Sequence, residues 1–169
     1  MKKLGIFICA VTLLLAFTNI ATATKPTEES FTIDNISLLA PEFVFKGACL
    51  AKFNMAAEGD FDPEPDSQYF DGEGGFSYNE KGVINLCTGH GTNQAVMTVS
   101  DNNSGDTVTI RWQGQTTNFT MSPYPSGTVS GNFVVLSGTG DYEHLHGQGT
   151  YDGDFFAVTF TGRFHYDPQ

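Results

Sequence analysis

Residues 101–113 read Asp101-Asn102-Asn103-Ser104-Gly105-Asp106 followed by Thr107-Val108-Thr109-Ile110-Arg111-Trp112-Gln113. The first six are turn formers, whose side chains bond their own backbone or tolerate left-handed conformations. The next seven alternate strictly. Val108, Ile110 and Trp112 fall on one face and Thr107, Thr109 and Arg111 on the other, the period of a half-buried strand. Residues 94–100, with Ala95, Met97 and Val99 in phase, supply the other arm of the hairpin. Asp101 to Asp106 has a superficial likeness to a calcium loop, but it lacks the spacing and terminal glutamate of an EF-hand, so a tight turn is the better account.

The same rhythm runs through the chain in both directions, with turn residues every eight to twelve positions and no sustained helical period. Further strands are predicted over 43–46, 48–56, 75–79, 83–87, 116–121, 131–137, 147–152 and 155–166. Residues 31–40 are ambiguous: Ile33, Ile36, Leu39 and Ala40 suit a short helix, Phe31 and Ile33 a strand. Residues 59–71, with Asp60, Asp62, Pro63, Glu64, Pro65 and Asp66, read as an exposed acidic loop. Eight to ten antiparallel strands suffice for a closed barrel or a two-layer sandwich. Closure is favoured by the last strand, which carries Phe156, Val158, Phe160 and Phe164 on one side and Phe155 and His165 on the other, so that an edge position would expose it. Glycines at 72, 74, 75, 89, 91, 147 and 149 favour it too, because barrels use them for sharp bends.

The chain begins with Lys2 and Lys3, an apolar run over 4–17 and the small residues Ala21-Thr22-Ala23, the pattern of a secretory signal peptide cleaved after Ala23. The apolar run falls short of the roughly 20 residues of a bilayer span. The expected organisation is a signal at 1–23, a leader at 24–42 and one strand-rich domain at 43–169, secreted or periplasmic, with no membrane insertion after cleavage. Loss of the two signal lysines takes the formal charge from −11 to about −13. Nucleic acid is a poor partner for so acidic a chain, since phosphate binding needs a basic surface, and the acidity reads as a solubility device. Cys9 leaves with the signal. Cys49 and Cys87 remain, an even pair in an oxidising compartment, and a disulfide is expected between them.

From Val134 the chain reads VVLSGTGDYEHLHGQGTYDGDFFAVTFTGRFHYDP. A strand ending in Gly138-Thr139-Gly140, then Tyr142, Leu145, Gly147-Gln148-Gly149 and a closing strand resemble the C-terminal signature of barrels related to allene oxide cyclase. The layout is similar to that of dirigent proteins and of secreted bacterial domains of unknown function. The resemblance implies an eight-stranded antiparallel closed barrel, calycin-like, with an apolar interior that shapes a flexible ligand. No catalytic residue of the family maps onto this chain, and none is carried over.

Few residues signal chemistry. His144 and His146, two apart, would project from one strand face toward a divalent metal, and with Gly138 they reproduce the opening of a cupin motif. The carboxylate that should follow is replaced by Thr150 or Tyr151, and a solvent-facing turn competes as an explanation; His90 and His165 could add a third ligand only through folding. No G-x-S-x-G elbow is present. Arg111 and Arg163, the chain's only arginines, would anchor a ligand carboxylate if they faced inward beside Trp112, whereas outward they would pair with surface acids. No cofactor is implied. The leading expectation is an exported barrel that binds a small apolar or amphipathic molecule. The alternatives are a cyclase or isomerase working by confinement, and a structural or interaction protein with a filled interior. A cavity above about 300 Å³ would support ligand handling.

Overall fold

A computed structural model describes residues 24–70, 72–122 and 124–168; the expected signal peptide lies outside the described residues. The protein is all-β. Eight strands, β1 (Thr27–Lys46), β2 (Leu50–Pro63), β3 (Gly74–Asn85), β4 (His90–Asp101), β5 (Thr107–Thr120), β6 (Ser126–Gly138), β7 (Leu145–Asp154) and β8 (Val158–Tyr166), are interrupted by one 3-10 turn, Gly140–Tyr142. Each strand pairs antiparallel with the next, and β8 returns to β1 through Thr27↔Phe164 to Ile33↔Val158, so the hydrogen-bond ladder forms a ring.

Alternation along each strand decides what fills the ring. Val108, Ile110 and Trp112 are buried as their spacing predicts, together with the cross-strand partners Val99, Met97 and Ala95. The core is strongly aromatic. Phe31 stacks on Phe160 at 4.9 Å, Phe133 stacks on Phe164 at 5.9 Å, and Phe70 meets Phe164 edge-on at 5.4 Å. Gly147 makes room for this packing: a Cβ there would come within 2.3 Å of the Phe164 ring.

Because the strands alternate in direction, the connections fall at two ends. The β1–β2, β3–β4, β5–β6 and β7–β8 connections lie at one end, here the hairpin end; the other three lie with the termini. Cys49 and Cys87 form a disulfide, Cα–Cα 5.1 Å, that joins two hairpin-end connections. At the opposite end Asp101 Oδ1 accepts from the backbone N–H groups of Asn103 (2.6 Å) and Ser104 (3.2 Å), the side-chain-capped turn read from the sequence.

Three expectations are corrected. Residues 27–42, placed before the sheet as a leader, form most of β1. Its pairing with β2 slips between Asp34/Ser37 and between Leu39/Glu42, and Asn35 takes φ 48°. These bulges insert residues into the alternation, so Ile33 and Ile36 both face inward three positions apart, a spacing that imitates a helix. The acidic loop at 59–71 is strand as far as Pro63, with Phe61 buried between the outward Asp60 and Asp62, and beyond it Tyr69 and Phe70 turn back into the core. Phe156, expected on the last strand in phase with Val158, Phe160 and Phe164, lies in the β7–β8 connection and is 53% exposed.

Candidate functional site

On β3 the inward set is Phe76, Tyr78, Glu80 and Ile84. Glu80 is thus carried into the interior by the same parity that buries two aromatic rings, and it is only 8% exposed. Strand β4 contributes Asn93, whose side-chain nitrogen donates to Glu80 Oε1 at 2.6 Å. The Asn93 carbonyl oxygen in turn accepts from the Tyr151 hydroxyl of β7 at 3.1 Å. Tyr151 reaches this point because Gly114 and Gly131 lie beneath its ring; a Cβ on Gly114 would come within 2.4 Å of the hydroxyl. Tyr78 packs edge-on against Trp112 at 4.9 Å and Trp112 against Tyr151 at 6.0 Å, so the polar chain Glu80–Asn93–Tyr151 has an aromatic wall.

Burial governs the protonation of this cluster. Loss of hydration raises Glu80 from 4.5 to about 7, against the opposing effect of the Asn93 hydrogen bond. Burial also raises Tyr78 and Tyr151, with the nearby Glu80 charge adding to both, so both hydroxyls stay protonated. The carboxyl is neutral in mildly acidic solution and ionised in mildly basic solution.

The cluster borders a partly enclosed pocket, called the funnel below. Its upper wall comes from Leu38, Pro41, Phe43, Phe119, Pro125 and Phe155, near the hairpin end. Counting space open to solvent the funnel spans about 710 Å³, but its free room is only about 40 Å³. That is enough for water-sized groups and falls short of the cavity above about 300 Å³ expected of a ligand-handling interior. Among the described residues, no lysine, arginine or histidine lines it.

Of the residues singled out from sequence, Trp112 lies in this wall. Arg111 and Arg163 alternate out of phase with the interior positions and are exposed, the outward placement. His144 precedes β7 in a left-handed conformation, φ 67°, so it does not share a strand face with His146. His146 instead stacks on its cross-strand partner His165 at 5.5 Å, and their Nε2 atoms lie 3.1 and 3.5 Å from the two carboxylate oxygens of Asp167. Among the described residues no group of three His, Cys, Asp or Glu side chains is arranged to hold a metal ion, and no helix is long and apolar enough to cross a membrane.

Sequence reasoning missed Glu80 and Asn93. The strands predicted over 75–79 and 83–87 leave Glu80 between them, and the predicted arm at 94–100 begins four residues after the start of β4 at His90, leaving out Asn93. The signal lay in continuing the alternation from Phe76 and Tyr78 by one more step. No family model, curated protein or solved structure matches the chain.

Proposed function

We propose that the protein is an exported, calycin-like eight-stranded barrel, akin to the allene oxide cyclase barrels, which binds a slender, uncharged amphipathic molecule in the funnel. The observation that carries this reading is a carboxyl group buried in an apolar pocket. An apolar side chain at position 80 would fill the interior without the desolvation cost that Glu80 imposes, and such uneconomical groups concentrate where ligands are handled. Among the described residues the lining has no cation to neutralise an acidic headgroup. A hydroxyl, carbonyl or amide suits a neutral Glu80, which both donates and accepts, and the Asn93 amide beside it. The narrow room demands a thin chain, or displacement of the mouth side chains Phe43 and Phe155. The disulfide supports export, since such bonds persist in oxidising compartments.

Trp112 is the chain's only tryptophan and lines the funnel, so its emission reports occupancy. Titration with a brominated straight-chain alcohol of about ten carbons is expected to quench Trp112 in a saturable manner. Glu80→Leu, which removes the headgroup partner, should weaken the alcohol at least tenfold and the matching bromoalkane little. Linear quenching without saturation in both proteins would instead indicate a filled interior.

A second reading, a cyclase or isomerase acting on a confined flexible substrate, is favoured by the position of Glu80 near neutrality, where a carboxyl can both give and take a proton. Under that reading Glu80→Gln retains binding and loses turnover; equal turnover by the variant would exclude it.

A further inference from the structure

The four connections at the hairpin end read GAC (47–49), LCTG (86–89), MSPYP (121–125) and FFA (155–157). None contains a charged residue, although the chain holds nineteen acids. The three connections at the opposite end read EPDSQYFDGE (64–73), NNSGD (102–106) and TGDYEH (139–144), and carry carboxylates throughout. Apolar exposure follows the same division. Phe45 is 58% exposed, Leu50 39%, Met121 42%, Tyr124 75% and Phe156 53%, all on or beside the hairpin-end connections. Val44, 55% exposed, lies three residues before the first of these connections, and among the described residues Leu39, Val96 and Leu136 are the exposed large hydrophobics further from this end.

These hairpin-end side chains stand on three hairpins whose nearby residues Phe43, Phe119, Pro125 and Phe155 line the funnel. Strand β1 contributes to the opening: its pairing with β8 stops at Ile33, and the stretch from Ser37 to Lys46 pairs only with β2. The nearest charges are Glu42 on β1, Lys46 and Asp154, the last two next to the tips at the ends of β1 and β7, and Asp154 also lines the funnel. Asp154 is turned to its own hairpin, accepting from the backbone N–H groups of Phe156 (2.7 Å) and Ala157 (3.0 Å).

We propose that the apolar rim formed by these connections around the funnel mouth docks on a lipid surface, so that an amphipathic ligand passes between the bilayer and the interior without crossing water. Charge distribution decides for lipid over other occupants. A protein this acidic is repelled as a whole from a phospholipid surface that carries negative charge, but Asp154 at the mouth is bonded into its own hairpin, and the carboxylate-rich end lies about 30 Å from the rim along strands of this length. That is several times the screening length of roughly 8 Å at physiological salt. Phenylalanine, tyrosine, leucine and methionine on exposed tips insert into the headgroup boundary of a membrane. A second copy docked mouth to mouth would stopper the funnel and would have to match tips to gaps, whereas lipid conforms to an uneven rim. The inference rests on the ligand-pocket reading only for its purpose; docking itself is measured independently.

The test is flotation of the disulfide-bonded protein with phosphatidylcholine vesicles at 0.15 and 1 M salt. Wild-type protein is expected to float at both. The triple variant Phe45→Ser, Tyr124→Ser, Phe156→Ser should lose at least tenfold in partitioning. Its residues are exposed, so it should fold, and unchanged saturable quenching of Trp112 by the soluble bromoalcohol shows that the funnel is intact. The control Asp141→Asn, Glu143→Gln should float as wild type. Absence of wild-type flotation, or equal flotation by the triple variant, overturns the docking surface while leaving the pocket reading to its own titration. A wild-type dimer in light scattering that the triple variant breaks, without flotation, also overturns it and assigns the rim to contacts between copies.

Discussion

Replacing Glu80 by glutamine isolates the cost of the buried carboxyl. The amide side chain would keep the shape and the oxygen that accepts from Asn93, and it cannot ionise. In the wild type the folded pKa, about 7, lies above the ordinary 4.5, so the folded state holds the proton more tightly. Stability is therefore fully present below pH 4.5, declines as pH rises, and reaches its lower plateau above about 7. At about 1.4 kcal/mol per pH unit the decline attributable to Glu80 is about 3 kcal/mol. For a domain of this size that corresponds to roughly 6–12 °C in melting temperature. The assay is thermal unfolding of both proteins by circular dichroism, disulfide intact, at half-unit steps from pH 4.5 to 8.5. The difference between them cancels the many surface acids and should rise in favour of the variant through that window, then flatten. Parallel melting curves would mean that Glu80 does not titrate inside the fold, and the electrostatic account of the site would fail.

Other perturbations probe the supports of the site. Gly131→Ala places a methyl within 2.2 Å of the Gln113 carbonyl oxygen and 2.8 Å of the Tyr151 ring; it should cost about 1–3 kcal/mol by chemical denaturation and weaken binding by displacing Tyr151. Reducing the Cys49–Cys87 bond, which spans 38 residues, should remove about 4 kcal/mol on the chain-entropy model, seen as a fall of roughly 10 °C in melting temperature. Asp154→Ala leaves two backbone N–H groups of the β7–β8 hairpin without their carboxylate acceptor and should cost about 1 kcal/mol, with faster amide exchange confined to 155–157.

The fold was legible where alternation ran unbroken. Thr107 to Gln113 and its partner arm needed only period and turn chemistry, and the pairing of Cys49 with Cys87 needed only arithmetic and compartment. Strand β1 was not legible, because two bulges convert its period of two into a spacing of three, and bulges depend on the partner strand rather than on local sequence. The burial of Tyr69 and Phe70 was hidden for a similar reason: a run of acids looks solvated until the tertiary fold turns its aromatic end inward. Glu80 was the costliest omission. A charged residue beside Lys81 and Gly82 looks like a turn on composition, and only the register of β3 against β2 and β4, Met55↔Glu80 and Glu80↔Ala95, shows that the strand continues through it. Trp112 was found for the opposite reason, as a large apolar residue in an unambiguous strand.

The most direct test of the pocket is the quenching of Trp112 by a brominated ten-carbon alcohol, followed in wild type and Glu80→Leu. Saturable quenching in the wild type, with at least tenfold weaker binding in the variant, is the predicted result. Quenching that never saturates, or that is the same in both proteins, would contradict a ligand held at Glu80 inside the ring.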